Sequence, residues 1–112
     1  MTAYQDGNGR AVLRIGTPRE LYEGEARVAM TPDSAQALQK LGYECVVEAG
    51  AGKAAGFSDD AYRAAGVTVV DSADALYSGS DIIAKVRPPE TAEIHRLSSD
   101  KTLISFFYPA QN

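Results

Sequence analysis

The chain has 112 residues, enough for one domain built on one modest core. Hydrophobic residues make up 45% and charged residues 23%, the ordinary balance of a globular protein. The formal net charge of −4 argues against a nucleic-acid partner, which calls for a basic face, and no apolar run approaches the roughly 20 residues of a membrane span.

In chain order, Met1 to Arg10 is polar, carries Gly7 and Gly9, and lacks the apolar core of a signal peptide. Residues 1–11 are therefore expected to be a flexible tail and residues 12–112 the folded domain. Val12 to Thr17 is a short apolar strand. A polar loop follows, in which Arg27 precedes Thr31-Pro32. Thr31 has N-cap chemistry, because its hydroxyl can accept from an orphan N–H, and Pro32 suits the first helical position. The helix from Pro32 to Leu41 places Ala35, Leu38 and Leu41 on one face, with Gly42 as its C′ residue. Glu44 to Ala49 is a second strand. Ser58 caps a helix over 59–65 that Gly66 stops. Val67 to Val70 is a third strand, and Ser72 to Tyr77 a short helix. Asp81 to Val86 is a fourth strand, ended by Pro88-Pro89. Glu90 to Leu97 is a marginal helix, and Thr102 to Phe107 a fifth strand. Strand and helix alternate throughout, which predicts an α/β domain with a Rossmann-like or flavodoxin-like parallel sheet of about five strands. The fifth strand runs directly into Tyr108-Pro109-Ala110-Gln111-Asn112. A parallel sheet needs both faces covered, so either one face is exposed or a longer natural chain supplies the cover.

Two cations stand out. Arg27 lies just upstream of a helix N-terminus, and two positive sources together suit a carboxylate or phosphate. Lys85 sits in Ile82-Ile83-Ala84-Lys85-Val86, near the carboxyl end of an apolar strand, where α/β sheets bind ligands. A lysine there must reach solvent, a partner carboxylate or a bound anion; it either snorkels from the sheet edge or serves a site. If Arg27 and Lys85 share one crevice, the pair suits a small carboxylate or a nucleotide phosphate. Tyr108 follows the last strand at the same kind of edge, where its hydroxyl meets a ligand or its ring packs.

Other features are weaker. Gly50-Ala51-Gly52-Lys53-Ala54-Ala55-Gly56, with Asp71 about twenty residues on, resembles a dinucleotide fingerprint. Its third glycine is one residue late, and the loop follows the second strand rather than the first. A glycine-rich connection with close backbone packing is the better reading, so no cofactor-binding residue is assigned. His95 lies between Glu93 and Arg96 on a polar stretch and is expected to be solvated. Cys45, the single cysteine, is expected to be a buried apolar residue; it rules out an internal disulfide and fits a reducing, cytoplasmic setting. One histidine and one cysteine do not make a usual zinc site, and no serine–histidine–acid arrangement presents itself.

The pattern G-x-P-[KR]-E, then E-x-R-V-A-x-T-P, resembles the opening of the family that contains alanine dehydrogenase and the alpha subunit of proton-translocating NAD(P) transhydrogenase. The matching pieces are Gly16 to Glu20, Glu25 to Pro32, Leu41-Gly42-Tyr43, Val47 to Gly52, Phe57-Ser58-Asp59, Ala65-Gly66-Val67 and Ile83 to Val86. Each is short; their order and spacing make them specific.

The resemblance implies an N-terminal domain of a much longer protein. A separate Rossmann-type domain would carry most of the NAD(H) contacts, and NADP(H) would sit on a partner subunit. The implied partners are the remainder of the alpha subunit, a second copy in a homodimer, and the membrane and NADP-binding subunits. The implied location is the cytoplasmic side of the inner membrane, peripheral to it through the assembled complex. Arg27 and Lys85 match positions that hold the substrate carboxylate in alanine dehydrogenases. Those enzymes carry a catalytic histidine where Tyr108 stands here, and the aromatic-Pro-Ala-Gln-Asn ending is similar to the transhydrogenase branch. No catalytic residue is assigned to this chain, which alone is expected to be inactive. A fragment of an amino-acid dehydrogenase, acting on alanine or saccharopine, and a non-catalytic α/β binding module are the alternatives.

Overall fold

The structure, a computed structural model, describes residues 4–5, 11–87, 91–97 and 101–105. Strands β3 (Arg14–Thr17), β4 (Glu44–Glu48), β5 (Thr68–Val70), β6 (Ile82–Lys85) and β7 (Thr102–Ser105) form one sheet in the order β5-β4-β3-β6-β7. Every neighbouring pair is parallel. Counted within the sheet this is the order 3-2-1-4-5, which selects the Rossmann-like arrangement over the flavodoxin-like one. The order reverses between β3 and β6, so the connections leaving those two strands diverge and open a crevice at their carboxyl ends.

The helices start where the sequence signals them. For α1 (Pro32–Lys40), the Thr31 hydroxyl accepts from the Ser34 N–H at 3.1 Å, and the Ser34 hydroxyl accepts from the Thr31 N–H at 2.9 Å. The Ser58 and Ser72 hydroxyls cap α2 (Asp59–Ala64) and α3 (Ala73–Ser78) by accepting from the Ala61 and Ala75 N–H groups, with no return bond from the alanine at N3. Gly42 follows α1 at φ +102, a conformation a side chain would resist. The last helix, α4 (Thr91–Ile94), is one turn and shorter than expected.

Alternation along the strands sorts the core onto the two sheet faces. Cys45, Val47, Ile15 and Ala84 pack with Ala35 of α1 and Tyr62 of α2. Val46 and Ile83 pack with Leu76 and Tyr77 of α3. Leu97 and Leu103 extend this second cluster.

Within the segment expected to be a tail, Tyr4–Gln5 (β1) pairs antiparallel with Ala11–Val12 (β2). Leu41, expected on the buried face of α1, is the C-cap residue and 75% exposed. It borders an apolar groove of about 340 Å³ between α1 and the β6–β7 side of the sheet, with Leu38, Ala84 and Ile104 in its walls. Strand β7 is described to Ser105, so Phe106, Phe107 and Tyr108 lie outside the described residues.

Candidate functional site

The connection after β3 and the end of β6 meet at the switch point, and Glu20 joins them. Its Oε1 accepts from Lys85 Nζ at 2.9 Å, and its Oε2 accepts from the Val86 N–H at 2.8 Å. The Arg87 N–H also donates to Glu20, at 3.3 Å. Lys85 makes a second ion pair, to Glu93 of α4 at 3.0 Å. The side chains are 1% exposed for Lys85, 4% for Glu20 and 3% for Glu93. Lys85 lies on the α3 side of the sheet because Ile83, two residues earlier, does. From α3, the Tyr77 hydroxyl donates to Glu93 at 3.2 Å. Burial first, and the Glu93 charge second, push the Tyr77 hydroxyl pKa upward, so the phenol stays a donor. The result is one ammonium between two carboxylates, tying the β3 loop, β6, α3 and α4 together.

Arg27 sits differently. Its Nε and Nη2 donate to the two oxygens of Glu25 at 2.9 and 3.0 Å, a bidentate pair. The Arg27 side chain is 58% exposed, whereas Glu25 is 3% exposed. Glu25 also accepts from the Arg27 N–H at 2.8 Å and from Arg87 Nε at 2.8 Å. The Arg27 side chain is the main reason the Glu25 pKa falls from 4.5 to about 2, against the opposing effect of its burial. Arg87 in turn lies over the Tyr22 ring, 4.1 Å from its centroid.

Above these pairs lies a cleft of about 420 Å³. Its walls are Arg19, Glu20, Glu25 and Arg27 from the β3 loop, and Gly50, Ala51, Lys53 and Ala54 from the loop after β4. Arg27 and Lys85 therefore belong to the same sheet edge and are linked through Arg87, Glu25 and Glu20. Arg27 faces the cleft, while Lys85 is not among its lining residues. The capped start of α1 is not among them either, so the helix terminus adds nothing to this cleft. Tyr108 lies outside the described residues, so its place relative to the cleft is not defined.

In the glycine loop, Gly52 is fixed by packing, whereas Gly50 and Gly56 take positive φ. A Cβ at Gly52 would stand 2.5 Å from the Tyr62 hydroxyl oxygen and 3.0 Å from the Phe57 Cβ. Tyr62 is fully buried and donates to the Met30 carbonyl at 2.7 Å; burial first, then Asp59, raises its pKa to about 12. The Gly50 N–H donates to Asp59 at 2.9 Å, and the Ala51 N–H to the Glu48 carbonyl at 2.9 Å. Asp71 is exposed at the end of β5, and His95 is exposed. Cys45 is buried, and its thiol pKa is raised to about 11, by burial first. Among the described residues no group of histidine, cysteine, aspartate and glutamate side chains is arranged to hold a metal, and no helix is long and apolar enough to cross a membrane.

The sequence reading gives Arg27 no carboxylate partner and gives Glu20, Glu25 and Glu93 no role. Glu20 and Glu25 stand inside the quoted motifs, so the signal was present in the same few residues.

The model of the alanine dehydrogenase/PNT N-terminal domain family matches residues 16–112. The chain belongs to that family. It is 66% identical over 100 residues to the NAD(P) transhydrogenase subunit alpha of Cereibacter sphaeroides, covering 89% of this chain and 19% of that protein. It is 37% identical over 98 residues to the alanine dehydrogenase of Halomonas elongata, covering 88% of this chain and 26% of that protein. Among solved structures, a transhydrogenase from Sinorhizobium meliloti superposes with a TM-score of 0.79 at 34% identity, over 88% of this chain and 29% of that one. An L-alanine dehydrogenase superposes with the same TM-score at 35% identity, over 83% of this chain and 26% of that one. The chain thus spans roughly a fifth to under a third of the relatives it matches, and their shared N-terminal fold is the fold seen here.

Proposed function

We propose that the chain is the N-terminal domain of the alpha subunit of a proton-translocating NAD(P) transhydrogenase. The observation that carries this reading is the gap between 66% identity to one transhydrogenase alpha subunit and 37% to an alanine dehydrogenase over nearly the same span. In this reading NADH held by the alpha subunit gives hydride to NADP⁺ on a partner subunit. The cofactors supply the hydride chemistry; the protein orients the rings and excludes water. The NAD(H) contacts lie mainly in the remainder of the subunit. The assembly is a paired alpha subunit docked on membrane and NADP-binding subunits, at the cytoplasmic side of the inner membrane.

This domain contributes a rigid sheet edge. The Lys85 ion pairs fix the β3 loop and α4, and the bidentate Arg27–Glu25 pair holds the exposed Arg27 guanidinium toward the cleft. A small anion reaching this edge meets Arg27 first, because Lys85 is engaged by Glu20 and Glu93. Tyr108, in place of the histidine that the alanine dehydrogenase reaction requires, accords with hydride exchange between nucleotides rather than amino-acid oxidation.

The test is a chimaera in which these residues replace the matching segment of the Cereibacter sphaeroides alpha subunit. The reconstituted enzyme is expected to reduce NADP⁺ at the expense of NADH. A folded chimaera that instead oxidises alanine with NAD⁺, and does not exchange hydride between nucleotides, would contradict the proposal.

A further inference from the structure

The one-turn helix α4 is inverted relative to an ordinary packed helix. Glu93 is turned inward and its side chain is 3% exposed, whereas Ile94, the large apolar residue, is 53% exposed. A single turn has no stability of its own, and an amphipathic helix gains its hold by burying its apolar face. Here the hold is mostly charge. Lys85 Nζ lies 3.0 Å from Glu93 Oε2, and the Tyr77 hydroxyl donates to the same oxygen at 3.2 Å. Leu97 adds a partly buried apolar contact to the second core cluster. Arg96 pairs with Asp74 at 2.8 Å, but that carboxylate is 84% exposed and such a pair is worth little. The same Lys85 ammonium is also held by Glu20 of the β3 loop, at 2.9 Å. An ammonium has three donors and can serve both carboxylates. The two carboxylates then share one cation out of water, where their mutual repulsion is strong.

We infer that α4 is a strap latched by charge, which opens as a unit while the sheet stays folded, and that the β3 loop sets its hold through Lys85. Opening takes Glu93 off the ammonium and Leu97 off the second cluster. Lys85 keeps Glu20, so the open state leaves no buried cation without a partner, and the usual penalty for breaking a buried pair is reduced. Sub-global openings of this kind belong to segments with few buried apolar contacts. The two glutamates act in opposite senses. Glu93 closes the strap; Glu20 loosens it, by repelling Glu93 and by sharing Lys85. A cluster that served packing alone would show no such opposition, because removing either carboxylate would loosen α4. The inference goes beyond the transhydrogenase reading and uses none of its steps.

The experiment is amide hydrogen exchange on the folded chain, read by mass spectrometry over residues 91–97, with β4 (Glu44–Glu48) as the reference for global opening. It is run on the parent, Glu93→Gln, Glu20→Gln and Ile94→Ala. In the parent the strap is expected to exchange faster than β4. Glu93→Gln should speed the strap about tenfold, the loss of one charge-assisted hydrogen bond. Glu20→Gln should slow it about threefold, since it removes the repulsion between neighbours. Ile94→Ala, on the exposed side, should leave it within about twofold. If Glu93→Gln lowers the protection of β4 as well, Tyr77→Phe, which removes the hydroxyl and leaves the ion pairs, should still speed the strap alone. The inference is overturned if the strap exchanges as slowly as β4 in the parent, if Glu20→Gln speeds it or leaves it unchanged, or if Ile94→Ala loosens it as much as Glu93→Gln does. Because hydride transfer is not the readout, failure here leaves the proposed function standing.

Discussion

Lys85 and Arg27 are cations at one edge of one sheet, each paired with glutamate, yet they occupy opposite physical regimes. Lys85 is 1% exposed and faces two carboxylates that are almost equally buried. Arg27 is 58% exposed and covers a glutamate that is itself buried. In the first region all the charges are out of water, so each depends on the others. In the second, water screens the cation and only the carboxylate is committed. Charge in a sequence motif does not distinguish these cases; the depth of the strand end does.

The largest expected effect comes from breaking the buried region. Lys85→Met leaves Glu20 and Glu93 facing each other without a counter-ion, and should cost about 3–5 kcal/mol in urea unfolding. That is a large part of the 5–15 kcal/mol typical of a domain. Adding Glu93→Gln to Lys85→Met should recover part of the loss, since it removes one of the two stranded charges. A Lys85→Met protein as stable as the parent would show that the cluster is solvated.

Next in size is a pH effect centred on Glu25. Its folded pKa, about 2, lies below the value of 4.5 it has when unfolded. A depressed carboxyl pKa gives stability that is fully present above 4.5 and is lost as pH falls from 4.5 toward 2. Unfolding free energy measured across this window should drop more steeply in the parent than in Glu25→Gln. Parallel profiles would mean that the arginine pair does not hold the carboxylate.

The smallest effect belongs to Arg27→Ala. Its pair is exposed on the cation side and Arg87 still reaches Glu25, so stability should change by about 1 kcal/mol or less. A loss as large as that of Lys85→Met would erase the distinction between the two regions.

Much of the scaffold is visible in the sequence because its signals are local. Thr31 and Ser58 cap helices through bonds that span three residues. The carboxylates on Lys85 were not legible in the same way. Glu20 reaches it from 65 positions away, and its partnership depends on β3 and β6 being neighbours. Periodicity does not specify strand order, so the two charges could not be joined from spacing alone. Leu41 shows the converse limit. Its period places it on the face of α1, but only the packing beyond the helix decides whether that face is covered.

The most direct measurement is amine acylation read by mass spectrometry on the folded chain. Lys53, exposed on the cleft, should react as an open lysine does, whereas Lys85, sealed between Glu20 and Glu93, should react only on unfolding. Equal labelling of Lys85 and Lys53 under native conditions would contradict the account.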